Sequence, residues 1–152
     1  MTRVLMVCLG NICRSPLAEG ILKSKVDSKE VEVDSAGTAS YHIGKGPDPR
    51  SIATASRYNI DITDQRARQF TVEDFDKFDY IFAMDKSNYQ NIIALTRDAS
   101  DKAKVALMLD ILEHPQVKEV PDPYYGGDQG FEHVFQLLDQ ATDLVVKRLN
   151  LK

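Results

Sequence analysis

Cysteine is nearly missing from this chain: 152 residues contain two, and tryptophan is absent. So few cysteines exclude a disulfide-built scaffold. Eight glycines and six prolines are too few for a collagen-like or low-complexity chain. No excess of basic residues is present either, since the formal net charge is -4. General attraction to nucleic acid or to anionic membrane surfaces is thereby excluded, and any bound anion needs a local site. No apolar run approaches the roughly 20 residues that cross a bilayer as a helix. The start, MTRVLMVCLG, lacks the pattern of a secretory signal, so a cytoplasmic location with reduced thiols is expected. The length fits a single domain over 1–152.

What the chain does contain is an alternation of short apolar runs and amphipathic segments. Val4 to Val7 reads as a buried strand that stops at Gly10-Asn11, and Ser15-Pro16 opens a helix carrying Leu17, Ala18, Ile21 and Leu22. Val31 to Val33, Tyr80 to Met84 and Lys104 to Met108 give three more strands. Asp48-Pro49 caps a helix to about Tyr58, Thr71 starts a short one, and Asp85 caps another to about Arg97. A last helix carries Phe131, Val134, Phe135, Leu138, Leu144, Val145 and Leu149. Such alternation predicts an α/β fold, a parallel sheet with helices on both faces, whose ligand sits at the carboxyl ends of the strands.

Both cysteines fall at that place, in VCLGNICRSP at 7–16. Between a strand end and a helix start, the backbone amides of Leu9, Gly10, Asn11, Ile12, Cys13, Arg14 and Ser15 can converge on an anion. Gly10 and Asn11 are residue types that accept the positive φ a tight wrap requires. Arg14 suits two oxygens of a phosphoryl group at once. In the same positive potential Cys8 is expected to react as a thiolate, with Ser15 able to donate a hydrogen bond to it. A buried inert thiol and a solvated arginine are the commoner fates of each residue alone; joined as Cys-x5-Arg-Ser they point to covalent catalysis through a phosphocysteine, with no metal or cofactor.

VCLGNICRSPLAEG resembles the phosphate-binding loop of the low-molecular-weight protein tyrosine phosphatases. The resemblance extends to DSAGT at 34–38, GPDPRS at 46–51, FDYIFAMDKSN at 78–88 and PDPYYGG at 121–127. It implies a four-stranded parallel sheet flanked by helices and the hydrolysis of phosphotyrosine and aryl phosphates. By resemblance Cys8 is the nucleophile, Arg14 the transition-state clamp and Asp122 the general acid. Asn11 and Ser15 support the loop, with Ser35 behind Asn11, and Cys13 is the redox partner that traps oxidised Cys8 as a disulfide. An acid such as Asp122 is demanded by the chemistry as well, since a phenol leaves far better than a phenolate.

Tyr41 lies where relatives carry a pocket aromatic, and Tyr124 and Tyr125 are the candidate opposite wall; His42 departs from the family pattern. The three histidines form no metal-ligand spacing with each other or with the cysteines. The expected partner is a tyrosine-phosphorylated protein, a cognate tyrosine kinase among the candidates, with no nucleic acid, no membrane, and a monomer or weak dimer. Two other readings compete. A thiol-dependent arsenate reductase would need further relay cysteines, and an idle phosphopeptide-binding module has no use for Cys8, Arg14 and Asp122 together.

Overall fold

The computed structural model describes residues 1–112, 119–123 and 127–150. Strand β1, Thr2–Cys8, runs through the middle of the sheet because both of its faces are apolar. Val4, Met6 and Cys8 join one core cluster and Leu5 and Val7 the other, the two-residue period of a strand buried on both sides. β2 (Val31–Gly37) pairs with it in parallel from Thr2↔Val31 to Cys8↔Gly37, and β3 (Tyr80–Ala83) pairs on its other edge. β4 (Val105–Leu107) completes a four-stranded parallel sheet in the order β2-β1-β3-β4. The expected α/β architecture is therefore the observed one. The chain leaves β1 for β2 on one side and reaches β3 on the other, so the end of β1 lies at the switch point where such sheets open a crevice.

Helices cover both faces. Those of α1 (Arg14–Lys23), α2 (Pro49–Ser56) and α6 (Gly127–Asn150) pack on one, through Leu17, Ile21, Leu22, Ala55, Val134, Leu138 and Val145. On the other, α3 (Asp74–Lys77) and α4 (Lys86–Ile93) supply Phe75 and Ile92 beside Phe70 and Phe78. Each fully buried side chain of this kind contributes about 1.5–3 kcal/mol.

Several boundaries differ from the sequence reading. The helix after Asp85 stops at Ile93, and a separate α5 (Ala99–Ala103) starts behind Asp98, whose carboxylate accepts from Asp101 N. A short 3-10 turn, Met108–Ile111, follows β4. α1 begins at Arg14 behind Cys13, one residue before the expected cap; Ser15 is already inside the helix and its hydroxyl turns to other partners. Asp48 caps α2 as expected, accepting from Arg50 N, with Pro49 in the first turn.

Candidate active site

The loop between β1 and α1 is shaped by what its carbonyls do. Cys8 O and Leu9 O accept from Thr38 N and Ala39 N, Ile12 O from Asp48 N, and Cys13 O from Leu17 N. Among the described residues, no backbone N–H from Leu9 to Ser15 donates to a protein acceptor. The loop thus turns its acceptors outward and leaves its donors for an anion.

Two residues make this tight path possible. Asn11 has φ 58°, the left-handed region. Gly10, also expected there, is absent from the positive-φ residues; its small size serves His42 instead, since a Cβ on Gly10 would lie 2.9 Å from His42 Cδ2. At the end of β2, a Cβ on Gly37 would lie 2.8 Å from Leu9 O and 3.2 Å from Asn11 N. The sheet edge and the loop touch backbone to backbone at that point.

Cys8 is 2% exposed, and its Sγ lies 3.0 Å from Ser15 Oγ. Behind them Asn11 Nδ2 donates to Ser15 Oγ at 2.7 Å and to Ser35 Oγ at 2.9 Å, while its Oδ1 accepts from Arg68 N at 3.1 Å. Ser35 lies where the resemblance places it. Arg14, buried at 2% exposure, donates through NH1 to Asp85 Oδ2 at 2.7 Å and to Val120 O at 3.0 Å. Burial pulls its guanidinium down, but the neighbouring Cys8 and the Asp85 hydrogen bond more than offset this and raise it above its ordinary value. NH2 faces Asp122 Oδ2 at 3.9 Å. One terminal nitrogen of the guanidinium is anchored by Asp85 and Val120, and the other lies toward Asp122.

A cavity of about 300 Å³ is lined by Cys8, Leu9, Gly10, Ile12, Cys13, Arg14, Tyr41, His42 and Asp122. The fold brings the three proposed catalytic residues to one cavity, and Tyr41 with them. Tyr41 is 71% exposed at the rim, edge-on to His42 with ring centroids 6.4 Å apart. Tyr124 and Tyr125 lie outside the described residues. A larger cavity of about 740 Å³ beside the starts of β1 and β2 is lined by Arg3, Lys23, Val33, Lys77 and others and holds neither cysteine.

Cys13 is buried, and burial first, then the nearby charges of Asp48, Cys8 and Asp122, push its thiol up to about 12. Both cysteines are free thiols. Glu19 is buried too, and desolvation lifts its carboxyl above the usual range against the pull of Lys23 and Ser35. Among the described residues no group of histidine, cysteine, aspartate or glutamate is placed to hold a metal ion.

Sequence reasoning missed Asp85, Arg68 and Glu19. Asp85 was read only as a helix cap, although its position directly after β3 is a carboxyl-end position and so a site position. Glu19 sits on the first helix after the loop, one turn beyond Ser15, which carries the same signal.

A protein-family model described as low molecular weight phosphotyrosine protein phosphatase matches residues 3–152. A low molecular weight phosphotyrosine protein phosphatase of Schizosaccharomyces pombe is 43% identical over 149 residues, covering 94% of this chain and 94% of the relative. That of Sus scrofa is 39% identical over 138 residues, covering 88% and 86%. Among solved structures, a protein tyrosine phosphatase from Entamoeba histolytica with Hepes in the active site superposes with TM-score 0.93 at 38% identity, covering 99% of this chain and 97% of that one. Vibrio vulnificus Wzb in complex with benzylphosphonate gives 0.85 at 29% identity, covering 97% and 98%.

Proposed function

The chain belongs to the low molecular weight phosphotyrosine protein phosphatases, and on that premise we propose that Cys8, Arg14 and Asp122 carry out its reaction. It is a protein tyrosine phosphatase, a hydrolase of phosphotyrosine. The Cys8 thiolate attacks phosphorus in line with the ester oxygen, forming an S–P bond as the P–O bond breaks. Asp122 gives its proton to that oxygen, so tyrosine leaves as the neutral phenol. The phosphocysteine is then opened by water, whose proton returns to Asp122; phosphate departs and the thiolate is restored with Ser15 donating to it.

Charge spreading over the three equatorial oxygens is met by the amides of Leu9 to Ser15 and by the inward edge of Arg14. Leu9, Gly10, Ile12 and Cys13 contribute backbone to this cradle, and Tyr41 supplies an aromatic face for the substrate ring, with Tyr124 and Tyr125 as its proposed counterpart. The Wzb complex with benzylphosphonate, in which a methylene joins the arene to a tetrahedral phosphorus where an aryl phosphate has its ester oxygen, supports an aryl phosphate as the substrate class. Neither metal nor cofactor enters these steps. Its substrates in the cell are tyrosine-phosphorylated proteins met in the cytoplasm, by a monomer or weak dimer. Among the described residues no helix is long and apolar enough to cross a membrane.

One observation carries this reading most directly: Cys8, Arg14 and Asp122 line one cavity of about 300 Å³. The test is hydrolysis of para-nitrophenyl phosphate by wild type and Cys8→Ser with a chelator present, alongside phosphotyrosine and phosphoserine peptides. Chelator-resistant activity that disappears in Cys8→Ser and favours phosphotyrosine is expected. Activity surviving in Cys8→Ser sinks the phosphocysteine route. Fractionating the expressing cells, and sizing the pure protein across concentrations, checks location and assembly.

A further inference from the structure

We infer that Glu19 is a positioning residue for the nucleophile: as the terminal acceptor of a directed chain of hydrogen bonds, it keeps the Ser15 hydroxyl hydrogen on Cys8. This rests on the reading of Cys8 as the reacting group.

Direction follows from what each group can do. The backbone N–H of Arg68 can only donate, and it donates to one end of the Asn11 carboxamide at 3.1 Å, so that end is the oxygen. The amide nitrogen therefore faces the serines, and its two hydrogens go to Ser15 Oγ at 2.7 Å and Ser35 Oγ at 2.9 Å. Each serine accepts from Asn11, and each has one hydrogen of its own left to give. Ser35 gives it to Glu19 Oε1 at 2.6 Å, and Ser15 gives it to Cys8 Sγ at 3.0 Å. A carboxylate accepts and cannot donate, which closes the chain at one end.

Solvent offers little alternative. Asn11, Ser15, Glu19 and Ser35 are all buried, at 3%, 0%, 4% and 4% exposure. Without Glu19, the other polar group that Ser35 Oγ contacts is Asn11 Nδ2, itself a donor. Two hydrogens then compete for one contact, or the Ser35 hydrogen stays unpaired in the core. Either way the Asn11 carboxamide loosens from the arrangement that holds its φ at 58°, and Ser15 is no longer compelled to point its hydrogen at sulfur. Lys23, whose Nζ also bonds Glu19, lies at the exposed end and holds the carboxylate from outside.

The experiment compares Glu19→Gln, Glu19→Ala, Ser35→Ala, the Glu19→Ala/Ser35→Ala double variant and Lys23→Met. It reads para-nitrophenyl phosphate kcat, the rate of Cys8 alkylation by iodoacetate near pH 6, and Tm. Glu19→Gln keeps an oxygen for Ser35 and is expected within about twofold of wild type in kcat and alkylation, whereas Glu19→Ala loses about three- to tenfold, the scale of one buried hydrogen bond. In the Ser35→Ala background, Glu19→Ala should change neither rate beyond about twofold even if Tm drops further. Additive losses in the double variant, a Gln variant as slow as Ala, or a Lys23→Met variant that reproduces the loss would each overturn the inference. Glu19→Leu replaces Ala if Ala does not fold. Alkylation reports on Cys8 whether or not the enzyme turns over, so failure of the catalytic reading is recognised separately, as activity that survives in Cys8→Ser.

Discussion

Asp85 holds Arg14 from across the sheet, its Oδ2 accepting from Arg14 NH1 at 2.7 Å although 71 residues separate them. Its other oxygen accepts from Asn88 N at 2.8 Å and caps α4. One carboxylate thereby ties the start of a helix on the far side of the sheet to the guanidinium of the loop. A buried arginine with a free terminus would need to find its geometry anew in each catalytic cycle; this one is fixed beforehand.

Asp85→Asn keeps a capping oxygen but turns an amide or a neutral oxygen toward Arg14. We expect kcat to fall about 10- to 100-fold with a smaller rise in KM, because the lost orientation matters most where charge develops in the transition state. Steady-state kinetics on an aryl phosphate check this. A change confined to KM would mean that Arg14 needs no such anchor.

Gly37→Ala places a methyl 2.8 Å from Leu9 O, against backbone that has no side chain to yield. Stability should fall by about 1–3 kcal/mol and activity should drop with it, as the loop is pushed off the path proposed to bind the anion. Gly20→Ala is the comparison: its Cβ would meet Ile62 Cγ2 at 2.5 Å, in the core. It should lower stability while sparing kcat. Urea unfolding together with kinetics separates the two.

Asp122→Asn removes the proposed proton donor and leaves the Cys8 and Arg14 side chains unchanged. Turnover of poor leaving groups such as alkyl phosphates should fall about 100-fold or more, and that of activated aryl phosphates much less. Rates measured across a series of leaving-group pKa values test it; an equal loss across the series would assign Asp122 a role other than acid catalysis.

Cys13 is proposed as the thiol that captures oxidised Cys8. Peroxide followed by a reducing thiol should restore wild type almost fully and Cys13→Ser poorly, because without a second thiol the sulfenic acid proceeds to irreversible states. Equal recovery in both proteins removes this role from Cys13.

Alkaline stability carries a second signature of Cys13. Its thiol is raised from 9.0 to about 12 in the fold. Between those values the unfolded chain has lost this proton and the folded protein keeps it, so stability is intact below pH 9 and falls as pH rises toward about 12. The contribution approaches about 1.4 kcal/mol per pH unit within that window. Subtracting the Cys13→Ala unfolding curve from that of wild type isolates it; parallel curves above pH 9 refute it.

Much of the site was legible because it is local. Cys8, Asn11, Arg14 and Ser15 lie within one strand-loop-helix unit, and their residue types and spacing announce an anion cradle with a thiol at its edge. The four strands were legible from their apolar runs, since a strand buried on both faces leaves few polar positions. Helix ends were harder. Ser15 resembles a cap in sequence, but its hydroxyl is taken by Asn11 and Cys8, and the helix starts two residues sooner, at Arg14 behind Cys13. Gly10 and Asn11 looked equally suited to positive φ; only Asn11 adopts it, held there by three partners through its carboxamide.

By itself, then, the sequence determined the composition of the loop, the alternation that builds the sheet, and the kind of chemistry a thiolate and a guanidinium can share. The tertiary structure decided which distant groups complete it: Ser35 is 24 residues from Asn11, Arg68 is 57 from it, and Val120 is 106 from Arg14. The reason is physical. Residue type and short-range spacing encode local dihedral preference and hydrophobic period, whereas the partner of a buried hydrogen bond is chosen by which strand ends the sheet order sets side by side. The direction of the chain from Glu19 to Cys8 depends on all of its contacts at once, and those contacts exist only when β1, α1, β2 and the loop bearing Arg68 have closed around Asn11.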